Sequence, residues 1–138
     1  MQNIPVLVEN ADGMQAEASI ACSDRPPWHI SFTSAQAESL CAAPLAFTND
    51  DLFECLVALR KALEAKNWKL LCNGSRPDVY PSRMSRQMGG GRQAYIHKIG
   101  EQAKRQDTVD IFDYAAPEVV KNVEEQVLFR QAWFNSLK

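Results

Sequence analysis

The stretch from Thr48 to Leu63 constrains the fold more than any other part of the chain. Leu52, Cys55, Leu56, Leu59, Ala62 and Leu63 recur at spacings of three and four, which places them on one side of an α-helix. Thr48-Asn49-Asp50-Asp51 comes just before, offering a capping oxygen and negative charge at the positive end of the helix dipole. Glu54, Arg60, Lys61 and Glu64 fall on the opposite side, so one face is expected to be buried and the other to meet water. Asn67 is positioned to close the helix.

The flanking segments say what that apolar stripe packs against. Val6–Glu9 is a short apolar run, Asp12-Gly13 a tight-turn pair, and Gln15–Cys22 alternates polar with apolar residues. Arg25-Pro26-Pro27 cannot continue a strand, because proline lacks the ladder donor. Trp28–Phe32 alternates again, so three strands in a meander precede the helix. After it, Trp68–Cys72, Gln93–Ile99 and Thr108–Phe112 read as strands, and Ser82–Met88 as a short helix stopped by Gly89–Gly91. Pro117 is expected to open a long second helix, where its missing donor does no harm. Val119, Val120, Val123, Val127, Leu128, Trp133 and Phe134 would form its broad apolar stripe. Strands come in groups and do not alternate strictly with helices. The expected fold is therefore α+β, a single domain over residues 1–138, with a mostly antiparallel sheet packed against two main helices. With 138 residues and 46% hydrophobic content the chain can supply one core.

Several classes are excluded. No run approaches the roughly 18–20 apolar residues of a membrane span. The opening MQNIPVLVENADG has no basic and no long apolar region, so no signal peptide is expected. Cys22, Cys41, Cys55 and Cys72 contain no CxxC pair and do not match zinc-ligand spacing. They read as buried thiols in a reducing, cytoplasmic setting, with no metal and no cofactor.

Charge is unevenly distributed. Residues 1–73 carry five basic against nine acidic residues, 74–105 seven against two, and 106–138 three against six. The basic middle either pairs with its acidic flanks or faces a partner. Its densest part, from Arg76 to Arg92, holds four arginines around the triple glycine. Glycines flanked by Arg86 and Arg92 could cradle a phosphate with backbone amides. The spacing matches neither a P-loop nor GxGxxG, and the glycines follow a helix where a cradle would precede one. A helix stop and tight turn explains them more simply. Nucleic-acid binding, with Tyr80 and Tyr95 stacking on bases, is the alternative, but no recognition module shows its signature. His29 and His97 could serve acid–base chemistry only if the fold brought them together, and no hydrolase motif is present. The chain is not expected to be an enzyme.

The segments NGSRPDVYPSRMSRQMGGGRQAY, VDIFDYA and EEQVLFRQAWFNSL, in a compact acidic α+β domain, resemble the small cytosolic immunity proteins of bacterial polymorphic-toxin systems. The resemblance covers the chain from Leu52 onward. It implies a protein that neutralises one cognate toxin domain by direct contact, working as a monomer or small homo-oligomer away from membranes. Arginine, tyrosine and methionine are frequent in interface centres. Tyr80, Arg83, Met84, Arg86, Met88 and Arg92 are therefore candidate partner-binding residues. Asp50 and Asp51, with Asp110 and Asp113, are acidic candidates for a basic toxin. At least one of Arg76, Arg83, Arg86 and Arg92 is expected to be clamped by a carboxylate of this chain, with Asp78, Asp110 and Asp113 as candidates.

Overall fold

The computed structural model describes residues 1–37, 40 and 43–138. Cys41 lies outside them. Strands β1 (Gln2–Asn10), β2 (Gln15–Cys22), β3 (Trp28–Thr33) and β4 (Leu45–Asn49) precede helix α1 (Leu52–Glu64). Then come β5 (Trp68–Leu70), β6 (Val79–Tyr80), α2 (Arg83–Gly89), β7 (Gln93–Ile96), β8 (Thr108–Asp110) and α3 (Val123–Ser136). The strands form an antiparallel five-stranded sheet in the order β4-β3-β2-β1-β5 and a small antiparallel sheet β6-β7-β8. The fold is α+β, and no helix of the described residues is long and apolar enough to cross a membrane.

The first hairpin turns where the Asp12-Gly13 pair indicates. Asn10 Oδ1 accepts from the amides of Asp12 and Met14, and Gly13 takes φ +81°. Because β1 and β2 pair Val6 with Ala18 and Ile4 with Ile20, their inward residues line one face. The apolar stripe of α1 lies in the same core, with Leu56, Leu59 and Leu63 fully buried beside Val8, Ile20, Ile30 and Phe32. Each such side chain contributes on the order of 1.5–3 kcal/mol of transfer free energy.

Several expectations are corrected. β4 was not expected; it is an edge strand whose inward Leu45 and Phe47 are only partly covered, so its alternation is faint. β6 was not expected either. Pro117 opens only a 3-10 turn, Pro117–Val119, and the helix starts six residues later. There Asn122 and Glu125 form a reciprocal capping box, and the Glu64 carboxylate accepts from the Val123 amide at 3.2 and 3.3 Å. The fourth correction is Arg60, expected on the wet face of α1 and in fact only 2% exposed. Its guanidinium donates to the carbonyls of Gly74 and Lys121 at 3.0 Å each and to Gln126 Oε1 at 2.6 Å.

Gln126 completes this polar junction. Its Nε2 lies 2.8–3.1 Å from the carbonyls of Gly74, Arg76 and Val79. The α3 stripe foreseen as a buried face is largely in solvent: Val127, Leu128 and Phe134 are exposed, while Val123, Gln126 and Trp133 are buried. Neither Val123 nor Trp133 belongs to the main core cluster. The helix is held at its start by Glu64, in its first turns by Gln126, and near its end by Trp133. The Trp133 indole donates to the Glu101 carbonyl at 2.9 Å and packs on the His97 ring at 4.2 Å between centroids.

Candidate interaction surface

α2 carries most of the candidate residues. Ser82 caps it, its side chain accepting from the Ser85 amide, and Gly90 ends it in the left-handed region at φ +69°. None of its seven residues is buried. Met84 and Met88, one helical turn apart, are 72% and 81% exposed, and Arg83 is exposed beside them. Ser85 Oγ donates to the Gln93 carbonyl, which ties the inner side of α2 to β7.

The triple glycine is a helix stop and a close contact. The amides of Gly90 and Gly91 both donate to the Ser85 carbonyl, and that of Arg92 to the Gly89 carbonyl. They are engaged within the turn and do not converge on an outside anion. The Gly90 carbonyl accepts from the Leu52 and Phe53 amides, filling the start of α1. Only glycine fits here: a Cβ at Gly90 would lie 2.9 Å from the Trp28 ring.

The arginines divide three to one. Arg76 grips Asp78 through two bonds, Nε to Oδ1 at 2.9 Å and Nη2 to Oδ2 at 2.8 Å. Arg92 Nε donates to Asp110 Oδ2 at 3.0 Å, with its guanidinium over the Phe112 ring. Arg86 Nη1 donates to Asp51 Oδ2 at 2.8 Å and Glu54 Oε1 at 3.3 Å. It stacks over Phe53 and Tyr80. Burial opposes the Arg86 charge most, but Asp51, Tyr80 and Glu54 together outweigh it and hold the guanidinium above its ordinary pKa. The expected clamp is present three times, through Asp78 and Asp110 as anticipated and through Asp51 and Glu54, which were not anticipated in that role. Arg83 makes no ion pair among the described residues.

The candidate residues therefore occupy different settings. Arg83, Met84, Met88 and Asp50 face solvent. Arg86, Arg92 and Asp51 have their charges engaged within the chain, and Asp51 is only 4% exposed because its carboxylate also caps α1 at the Glu54 amide. Tyr80 is half-buried between Arg86 and Arg130, whose guanidinium lies 4.2 Å from its ring centroid. Asp113 has no ion pair among the described residues. Arg130 was not singled out from the sequence, although LFRQAWF places it among aromatics at helical spacing.

The two histidines have separate surroundings. His29 on β3 shares a hydrogen bond with Thr48 Oγ1, while His97 follows β7, packed against Trp133. Burial, then Arg130, holds the His97 pKa below its ordinary value. Cys22, Cys55 and Cys72 are buried free thiols, and burial pushes Cys55 up to about 11. In comparison with known proteins, the chain matches no protein-family model and no curated protein.

Proposed function

We propose that the chain is an immunity-like binding protein that neutralises a cognate bacterial toxin domain by direct protein–protein contact. The observation that carries this reading is α2. It presents Met84, Met88 and Arg83 outward on a helix whose underside is fixed by the Arg86 clamp, the Ser85–Gln93 bond and the Gly90 turn. Exposed methionines beside an arginine make an adaptable apolar contact with a charged anchor, and a fixed platform lowers the entropy lost on binding. The resemblance to immunity proteins supplies the class of partner.

The alternative, a phosphate or nucleic-acid binder using Arg76–Arg92, has weaker support. Three of its four arginines already face carboxylates, and the turn amides donate inward. It calls for retention on an immobilised nucleic acid that falls steeply with salt.

The direct test is co-expression with the product of the adjacent gene. A complex surviving purification is expected, and a Met84→Asp/Met88→Asp double variant should lose it. Both sites are exposed, so the variant's stability should stay within about 0.5 kcal/mol of the parent. No complex, or a double variant that binds like the parent, overturns the reading.

A further inference from the structure

We infer that Arg130 is the seat for a side-chain carboxylate of a protein partner, and that an apolar neighbour of that carboxylate enters the groove between α1 and α3. The inference rests on the reading above only in taking the occupant to be a protein.

Arg130 differs from the three clamped arginines. It makes no ion pair or hydrogen bond with any described residue. Its Nη1 is fully buried, while the guanidinium lies 4.2 Å from the Tyr80 ring centroid, 4.9 Å from Trp133 and 5.5 Å from Phe134. The rings hold the fork in one orientation and remove water from it. Nη1 is the one guanidinium nitrogen that is fully buried, so the Nε–Nη2 edge is the side an incoming group would meet. A planar carboxylate matches that edge, and its charge would balance a guanidinium that no carboxylate of the described residues pairs with.

The surroundings favour an apolar neighbour. Val127, Arg130 and Phe134 lie at i, i+3 and i+7 on one stripe of α3, with Val127 and Phe134 about half exposed. Beside them opens a groove of about 200 Å³, walled by Phe53 and Val57 of α1, Tyr80, and Val123 and Val127 of α3. That volume suits one aliphatic or aromatic side chain. Glu54, already paired with Arg86, and Lys61 both line the groove and Glu124 continues the stripe, so the charge around Arg130 is mixed and offers no continuous basic track to a nucleic-acid backbone. A single carboxylate on an otherwise apolar protein surface needs only the one guanidinium.

The test uses the full chain labelled for NMR, with the Arg130 Nε–Hε signal assigned by its loss in Arg130→Lys. The probes are acetyl-Leu-Glu-Phe-amide, its Gln counterpart and inorganic phosphate. A saturable shift with the Glu peptide is expected. The Gln peptide should bind about tenfold or more weakly, the scale of one charge-assisted hydrogen bond, and phosphate should leave the signal in place. Val127→Asp, at an exposed groove position, should abolish the shift without changing the other arginine signals. Equal binding of both peptides, no saturable shift with either, or a matching shift with phosphate overturns the assignment. Self-association at micromolar concentration that Val127→Asp removes also overturns it, giving the face to a second copy. If the adjacent gene product is captured but the peptide does not bind, Arg130 falls and the function stands. Peptide binding without capture gives the reverse.

Discussion

Replacing Gln126 with Met tests how α3 is attached. Methionine has similar length and no donor or acceptor of this kind, so the change removes hydrogen bonds and leaves packing nearly constant. The parent amide accepts from Arg60 Nη1 at 2.6 Å and donates towards the carbonyls of Gly74, Arg76 and Val79. A hydrogen bond to a charged group contributes roughly 1.5–3 kcal/mol, and each buried group left unpaired costs about 1–3 kcal/mol. Arg60 keeps the Gly74 and Lys121 carbonyls, so its loss lies at the low end. The carbonyls of Gly74 and Arg76 keep other donors, from Arg60 and from the Val79 amide, so that of Val79 is the one left unpaired. The expected destabilisation is about 3–4 kcal/mol, a large share of the roughly 5–15 kcal/mol that stabilises a domain of this size. At a urea slope of about 1.5–2 kcal/mol/M, the unfolding midpoint should fall by roughly 2 M. Tryptophan fluorescence, to which Trp28, Trp68 and Trp133 contribute, and far-ultraviolet circular dichroism should report the same transition in the parent. A loss under about 1 kcal/mol would refute the reasoning, because α3 would then be held by contacts other than this junction.

Two further outcomes follow from the geometry. Gly90→Ala should cost about 1–3 kcal/mol in urea unfolding, since it places a Cβ at positive φ and 2.9 Å from the Trp28 ring; a change under about 0.5 kcal/mol would remove the close approach as the reason for glycine. His97 should make stability fall on acidification: its folded pKa lies below its ordinary value of about 6.5, so the unfolded chain binds the proton first. Its contribution is complete above that value and is lost as pH drops towards the folded pKa. A His97→Gln variant should flatten the slope of the urea midpoint between about pH 7 and pH 5, and an unchanged slope would give that dependence to other groups.

The parts of the fold legible in the sequence are those where one face is fully buried. β2 and β3 alternate cleanly, and the α1 stripe repeats without a break, because each position either meets the core or meets water. β4 has no such contrast, since its inward Leu45 and Phe47 are only partly covered. The start of α3 was misread because proline is compatible with a helix start but does not compel one, whereas the Asn122–Glu125 box and the Glu64 carboxylate supply bonds. Arg60 was misread for a related reason. Spacing puts a charged residue on a face, but its burial depends on carbonyls distant in sequence, those of Gly74 and Lys121. At the candidate surface, the clamps were legible as a surplus of arginine beside aspartate. The isolation of Arg130 was not, because it depends on which carboxylates the fold brings near and which it keeps away.

The polar attachment of α3 has a consequence for how such a surface can change. A helix docked through its apolar stripe must keep that stripe, and any residue it offers outward has to be compatible with the one beneath. Here the attachment is concentrated in Glu64, Gln126, the capping box and Trp133, all on the inner side or at the ends. Val127, Leu128 and Gln131 are exposed, carry none of those bonds and can be replaced one at a time with little effect on folding. Under the proposed function, partner choice and foldability are governed by separate sets of residues. A lineage of such chains could drift across many partners through single substitutions on this face, each intermediate remaining folded.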